Sequence, residues 1–177
     1  MITENTPNRF THAVLVTGSR TWDDEQSMRR TFNEVWQTWN RTDDKGLVPI
    51  RRPVLLSGHN PRGADAMAER LWWEAGFEII TFPADWQTHG RAAGVRRNAQ
   101  MVDAAQVFRD GGVHVVCAAF LDHCDKVGCT RRHQQLLPTL AGHFSHGTIH
   151  CRGLAEKVQI PVIDTIPAAS DVTARSS

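Results

Sequence analysis

The sequence has no long hydrophobic run and almost no excess charge of either sign. No apolar stretch approaches the roughly 20 residues that a membrane-spanning helix requires. The polar stretch 1–11 lacks the apolar centre of a secretion signal. The 20 Lys and Arg side chains nearly balance the 19 Asp and Glu side chains, whereas nucleic-acid-binding proteins usually present a basic surface. The composition therefore argues against a membrane partner and against a nucleic-acid partner.

Cysteine is also scarce, at four in 177 residues. In a chain without a secretion signal, we expect these thiols to be reduced and the protein to be cytoplasmic. The hydrophobic fraction of 41% is ordinary for a globular protein, and a chain of this length can bury a core without disulfides. We therefore expect one domain over residues 1–166, followed by a disordered tail over 167–177 that has little apolar surface to bury.

Two turns that contain glycine organise the sequence, Thr-Gly-Ser-Arg at 17–20 and Ser-Gly-His-Asn-Pro-Arg-Gly-Ala-Asp at 57–65. Each turn follows a short apolar run typical of a buried parallel strand, and each precedes a helical pattern. Strands are predicted at 13–16, 54–56, 78–82, 113–120 and 160–163. Their alternation with helices predicts an α/β fold, with a doubly wound, mostly parallel sheet of about five or more strands and helices on both faces.

Three local signals add detail to this prediction. Thr21 and Asp24 are spaced as in a capping box, which predicts a helix start at this point. Pro161 favours an edge position for the last strand because its nitrogen cannot donate a hydrogen bond to a neighbouring strand. Cys117, within a predicted strand, is expected to be a buried core thiol.

Ligands of such a sheet bind outside the carboxyl ends of the strands, where glycine turns and helix N-termini meet anions. Arg side chains there can add forked hydrogen bonds to a phosphate, and Trp86, in a polar loop, is a candidate platform for stacking a base. Asp65 has two interpretations, a partner for a ribose hydroxyl or a carboxylate that only stabilises its helix start. The alternative for each turn is a tight strand-to-helix connection without a ligand. The candidate ligand-binding residues are Gly18, Ser19, Arg20, Gly58, Arg62, Gly63, Asp65, Trp86, Arg91, Arg97, Asn98, Ser145, Gly147 and Thr148.

The segment 121–145 is irregular and rich in His, Cys and Arg, and we expect it to be an insertion or a lid. Thiolate and imidazole groups at short spacing are typical of zinc sites. One hypothesis is a structural zinc that clips this segment over the crevice, and the other is a flexible, reduced lid without a metal. The sequence indicates no other cofactor. The candidate metal ligands are His123, Cys124, Cys129 and His133.

Four motifs stand in order along the chain: VLVTGSRTW at 14–22, RGAD at 62–65, PADWxxHGRAAGxxRNxxM at 83–101 and SHGTxHCxxLAEKxxIPV at 145–162. Together they resemble the SLOG superfamily of the SMF/DprA–LOG group, in the branch related to YspA and cpYpsA that is common in bacteria and their phages. The resemblance covers roughly residues 13 to 164. It implies a Rossmann-like domain that binds nucleotides or nucleotide-derived ligands, in the host cytoplasm if the chain is phage-encoded.

The resemblance also implies the range of functions to consider. Some relatives hydrolyse nucleotide N-glycosidic bonds, others sense signals derived from NAD, and the DNA-processing relatives bind single strands. The hydrolase branch carries Gly-Gly-x-Gly-Thr followed shortly by glutamates, whereas this chain reads His-Gly-Thr-Ile-His-Cys at 146–151, with no acid before Glu156. The carboxylate that the hydrolases use is therefore missing from its position in this chain.

We expect, on these grounds, a protein that binds a nucleotide or nucleotide-derived small molecule as a sensor or sequestering protein, without turning it over. The alternative is a nucleotide N-glycosidase or phosphoribohydrolase, for which Asp65 and Glu69 are the candidate catalytic acids. A second alternative is a module for single-stranded nucleic acid. The sequence leaves the oligomeric state open, including a homodimer or higher homo-oligomer. The basic residues that this second alternative would use are Arg91, Arg96, Arg97, Arg131 and Arg132.

Overall fold

The protein is described by a computed structural model over residues 10–40, 48–131 and 142–168. Strands and helices alternate along these ranges, as the sequence predicts. In none of the described ranges does a helix have the length and apolar character needed to cross a membrane. The elements are β1 (His12–Gly18), α1 (Glu25–Trp39), β2 (Val54–Ser57), α2 (Ala64–Glu74), β3 (Glu78–Thr81), α3 (Trp86–His89), α4 (Ala93–Asp110), β4 (His114–Phe120), α5 (His146–Lys157) and β5 (Val162–Thr165).

The five strands form one sheet in the order β3-β2-β1-β4-β5, and every neighbouring pair is parallel. The chain runs from β1 outward to β3 and then returns to the other side of β1 with β4. The strand order therefore reverses between β1 and β4, which is where a crevice opens in such sheets. The predicted Rossmann-like α/β fold is confirmed.

Hydrophobic cores lie on both faces of the sheet. On one face, α1 and α2 pack against the sheet through residues such as Met28, Trp39 and Trp72. On the other face, α4 and α5 do so through residues such as Met101 and Cys151. Strands covered on both sides must be apolar at successive positions, which explains the continuous apolar runs of the sequence.

Two local predictions differ from the structure in detail. The helix cap at α1 is Asp24 alone, because its carboxylate accepts a hydrogen bond from the Ser27 N–H at 2.8 Å. The capping box is therefore wrong, and the Thr21 hydroxyl instead donates to Asp122 at 2.6 Å. The last strand does lie at an edge, but it begins two positions later than predicted because the fully buried Ile160 precedes it as a core residue.

The two glycine turns pack directly against each other at the carboxyl ends of β1 and β2. The Ala64 N–H, at the start of α2, donates to the Ser19 carbonyl oxygen at 3.0 Å. Gly63 has a φ of +72°, and a Cβ atom there would lie 2.2 Å from that same oxygen. A Cβ atom at Gly18 would lie 2.2 Å from the Cβ of Ala64. The turns therefore form one backbone unit that only glycine permits.

We expect Gly63→Ala to lower the free energy of unfolding by at least about 2 kcal/mol, because the methyl group meets backbone and the positive φ is strained. Urea unfolding followed by circular dichroism measures the change. Gly153→Ala is the matched control, since Gly153 lies inside α5 and a Cβ atom there has no neighbour within 4 Å. The control should be neutral or stabilising by up to about 1 kcal/mol. Equal stabilities for the two variants would contradict this account of the turns.

Candidate functional site

A crevice of about 520 Å³ opens at the carboxyl end of β1, beside the segment that follows β4. One wall comes from the β1 turn, another from the first turns of α4, and a third from residues 124–131 and the start of α5. This is the place where the strand order reverses. The position is therefore the one that ligands occupy in open α/β sheets.

Most of the residues predicted to bind a ligand meet in this crevice, although they come from four separate parts of the chain. Those that line it are Gly18, Ser19, Arg20, Asp65, Arg91, Arg97, Asn98, Ser145, Gly147 and Thr148. Those that do not line it are Gly58, Arg62, Gly63 and Trp86. The structure thus brings the first glycine turn together with the starts of α4 and α5, and it leaves most of the second glycine turn outside the crevice.

Basic side chains outnumber acidic ones around the crevice. Its carboxylates, within the described part of the chain, are Asp65 and Asp125. A concave surface with an excess of one charge raises the local concentration of ligands of the opposite charge. The crevice therefore favours an anionic ligand. Its lysine and arginine residues are Arg20, Arg91, Arg97, Lys126 and Arg131.

A buried ion pair connects the second turn to α4. The Nη1 atom of Arg97 lies 3.2 Å from Oδ2 of Asp65, and the Asn60 N–H donates to the same oxygen at 3.2 Å. Burial raises the pKa of Asp65, and the positive charge of Arg97 opposes that shift. The buried Nε atom of Arg97 has no hydrogen-bond partner among the described residues. Asp65 is thus held by protein groups and has little freedom to turn toward a ligand.

Gly58 makes room for this ion pair. A Cβ atom on Gly58 would lie 1.3 Å from Nη1 of Arg97 and 2.8 Å from Oδ2 of Asp65. The guanidinium group occupies the space that any side chain would need. This role was not apparent in the sequence, where Gly58 is a candidate for approach to an anion.

The first turn of α5 forms the wall opposite the β1 turn. The Asn98 side-chain amide donates to the Gly147 carbonyl oxygen at 3.0 Å, and the Ser145 N–H donates to the Asp122 carbonyl oxygen at 3.0 Å. The first N–H groups of a helix have no acceptor within the helix and carry its positive partial charge. The buried Thr148 hydroxyl has no partner among the described residues. This wall therefore offers hydrogen-bond donors to an anion.

Two predicted residues lie at or beyond the rim. Trp86 is 50% exposed, and the Arg20 guanidinium carbon lies 5.7 Å from the centroid of its ring. Trp86 thus contacts the crevice through Arg20. Arg62 is exposed, and its backbone N–H donates to the Asn60 side-chain oxygen at 3.2 Å.

The two candidate catalytic acids are placed differently. Asp65 lines the crevice, whereas Glu69 faces a separate cavity beside α2. Glu69 accepts hydrogen bonds from the Ser57 hydroxyl at 2.6 Å and lies 3.0 Å from Nδ1 of His59. Glu69 therefore stabilises the second turn.

Three further residues shape the crevice although none was a candidate from the sequence: Asp122, Asp125 and Lys126. The Asp122 carboxylate accepts from the Thr21 hydroxyl and the His123 N–H, and its carbonyl oxygen accepts from the Ser145 N–H. Asp122 thus connects the loop after β1 to the start of α5. The available signal was its place directly after a predicted strand end, where parallel sheets open their crevices. Asp125 and Lys126 lie in an irregular segment that carries no such signal.

A cluster of cysteine and histidine side chains lies at the edge of the crevice, beside the start of α5. Cys124, Cys129, His143 and His146 bring their ligand atoms within 4.8 Å of one another. Of the predicted metal ligands, His123 does not belong to this cluster, because its ring stacks on Phe144 with centroids 5.5 Å apart. His133 lies outside the described residues, as does Arg132.

The chain is similar to proteins of one known family. A family model for the YspA, cpYpsA-related SLOG family matches residues 12–89. The chain is also 33% identical over 156 residues to the Gene 61 protein of Mycobacterium phage D29, which covers 85% of this chain and 94% of that protein. The chain belongs to the YspA, cpYpsA-related SLOG family. No solved structure matches it significantly.

The match to the SLOG family covers the part of the chain that supplies about a third of the residues lining the crevice. Residues 12–89 include β1, β2 and both glycine turns. Membership of the family suggests a nucleotide-related ligand, which agrees with the positive charge of the crevice.

We expect Gly58→Ala and Arg97→Ala to have the same defect. Each removes the partner of the buried Asp65 carboxylate and should lower the free energy of unfolding by roughly 2–4 kcal/mol. Gly58 has no positive φ, so the backbone itself accepts alanine. The double variant should be little less stable than either single variant, because both act on one ion pair. Additive losses in urea unfolding would show that Gly58 has another role.

Proposed function

We propose that the protein binds a nucleotide or nucleotide-derived small molecule in the crevice and acts as a sensor or sequestering protein. The observation that carries this proposal is the excess of basic side chains around the crevice, which also contains the first turn of α5, at the carboxyl ends of the strands. Phosphate groups match this arrangement, since both arginine side chains and helix N-termini bind them. Family membership supports the same class of ligand.

The basic residues divide into fixed and movable groups. Arg97 is held by Asp65, whereas Arg20, Arg91, Lys126 and Arg131 are exposed. Exposed side chains can close on a phosphate after it has met the fixed donors of α5. Thr148 also lines the crevice, and its buried hydroxyl has no partner within the described ranges.

The base of a nucleotide would meet the rim of the crevice. Trp86 presents a half-exposed indole ring there, already covered on one side by Arg20. Aromatic rings and guanidinium planes both stack on bases. This arrangement supports a ligand with its phosphate at α5 and its base near Trp86.

Binding without turnover is supported by the state of the acids. Cleavage of an N-glycosidic bond needs a carboxylate beside the ribose, to stabilise developing positive charge or to activate water. Asp65 is bound by Arg97 and Asn60, and the first turn of α5 has no acid. Burial lowers the pKa of His150, and a neutral imidazole cannot supply the missing negative charge.

A nucleotide hydrolase is the second candidate function. Its supporting observation is that a second, exposed carboxylate, Asp125, lines the same crevice as Asp65. Most enzymes that hydrolyse a glycosidic bond use two carboxyl groups in one site for acid and base catalysis. The two candidates differ in whether the bound ligand survives.

We expect saturable binding, at micromolar affinity or better, of at least one member of a panel of AMP, ADP-ribose, NAD and cyclic nucleotides. Arg20→Ala should weaken that binding by roughly 10- to 100-fold, since it removes a charge-assisted contact. Titration calorimetry measures both affinities. Arg96→Ala is the matched control, because Arg96 is an exposed arginine of α4 that does not line the crevice.

The ligand should be recovered intact after prolonged incubation, as judged by mass spectrometry. Release of free base or ribose phosphate in proportion to protein, and its loss in Asp65→Asn or Asp125→Asn, would favour the hydrolase. If a single-stranded oligonucleotide bound more tightly than every nucleotide of the panel, and its affinity fell steeply as the salt concentration rose, the nucleic-acid module would be favoured. Equal affinities for Arg20→Ala and Arg96→Ala would contradict the placement of the ligand.

A further inference from the structure

Four metal-binding side chains converge from two segments that are distant in the sequence. Cys124 and Cys129 follow β4, and His143 and His146 precede and begin α5. The Nε2 atoms of the two histidines lie 3.0 Å apart. The Cys129 sulfur lies 3.3 Å from Nε2 of His143 and 3.5 Å from Nε2 of His146, and the Cys124 sulfur lies 3.9 Å from the latter.

These separations fit a tetrahedral zinc site. With Zn–S bonds of about 2.3 Å and Zn–N bonds of about 2.0–2.1 Å, tetrahedral geometry places sulfur and nitrogen about 3.6 Å apart. The same geometry places two nitrogens about 3.3 Å apart and two sulfurs about 3.8 Å apart. The two imidazole rings are also nearly perpendicular, at 85°, so that both can direct Nε2 to one point.

The chemistry of the ligand set selects the metal. Two thiolates and two neutral imidazoles are typical of zinc, whereas magnesium and calcium require oxygen ligands. Two thiolates also balance the charge of a divalent cation. Because four protein ligands fill a tetrahedral shell, no coordination position is left for water or substrate, as in structural sites.

The backbone holds the two ligand segments side by side. The Cys124 N–H donates to the His143 carbonyl oxygen at 2.9 Å. His123 and Phe144 form an antiparallel bridge and stack their rings. The Cys129 N–H donates to the Lys126 carbonyl oxygen at 3.2 Å, which closes a turn between the two cysteines. The ligands therefore sit on a local scaffold that places them together before any metal binds.

We propose that Cys124, Cys129, His143 and His146 bind one structural zinc ion. The ion joins the segment after β4 to the first residue of α5. Cys124 and His146 also line the crevice, so the metal fixes the wall that carries Lys126 and the α5 helix start. The proposal concerns the metal alone and does not depend on which ligand the crevice takes.

The test uses the full chain without a histidine tag, purified without added metal. Elemental analysis should find about one zinc per chain, as expected for a closed four-ligand site. Replacement by cobalt should produce the visible bands of a tetrahedral ion together with a thiolate charge-transfer band. Addition of a chelator should lower the melting temperature, and zinc should restore it, because metal binding is linked to folding.

Variants separate this ligand set from the other histidines of the region. Cys129→Ser and His143→Gln should each lose most of the zinc. In the cobalt-substituted protein, each should also lose either the thiolate charge-transfer band or the pattern of visible bands that a tetrahedral ion produces. His123→Gln and His133→Gln are the matched controls and should keep about one zinc per chain. Retention of zinc by His143→Gln together with its loss in His133→Gln would overturn the assignment.

Two results on the parent protein would also overturn it. One is a protein that takes up neither zinc nor cobalt when the thiols are reduced, with a melting temperature that chelator leaves unchanged. The other is a disulfide between Cys124 and Cys129 in protein prepared under reducing conditions, detected by mass spectrometry after alkylation. Either result would show that the cluster is held by hydrogen bonds or a covalent bond instead of a metal.

Discussion

The contact between the two glycine turns is the constraint on which the site depends. Because the Ser19 carbonyl oxygen accepts the Ala64 N–H, the start of α2 is covered by protein backbone. The second turn is the longer of the two and contains two glycines and an arginine, so an anion would be expected there from the sequence. Its helix start is instead packed against the first turn, and the crevice opens on the far side of β1 toward α4 and α5. Glycine is needed in both turns for this packing, since a Cβ atom on either would meet the other at 2.2 Å.

The buried ion pair extends the same constraint to α4. Asp65 is the last residue of the second turn, and Arg97 reaches it from α4 across the space that Gly58 leaves open. An isolated buried carboxylate is costly, and one held by a guanidinium group and a backbone N–H is much less so. The pair therefore fixes the position of α4 relative to the turns, and with it the position of Asn98, which in turn holds Gly147 of α5. One chain of contacts runs from β2 to the wall where we place the phosphate.

The fold was predictable from the sequence because its signals are local. Apolar runs mark the strands of a sheet that is covered on both faces, and the glycine turns mark their ends. The difference at the last strand is instructive: Ile160 is as apolar as a strand residue, but it is buried in the core before pairing begins at Val162.

Contacts between particular side chains were less predictable from the sequence than the fold. Glycine can be read from the sequence, but what it makes room for cannot. Cys129 and His143 lie 14 positions apart, and no periodicity signals the bridge between His123 and Phe144 that brings their segments together.

The start of α5 is held from three directions, which bears on how the crevice binds. Asn98 holds the Gly147 carbonyl oxygen, Asp122 accepts the Ser145 N–H, and His146 belongs to the cysteine–histidine cluster. Donors that are fixed before a ligand arrives lose little entropy on binding, and they therefore contribute more to affinity than flexible ones. The opposite rim, with Arg20 and Arg91, is exposed and free to adapt. A fixed wall for the phosphate and an adaptable rim for the remainder of the molecule suit the nucleotide-derived ligand that we propose. The zinc ion that we propose would add to the rigidity of this wall, and on that proposal metal content and ligand affinity should be coupled.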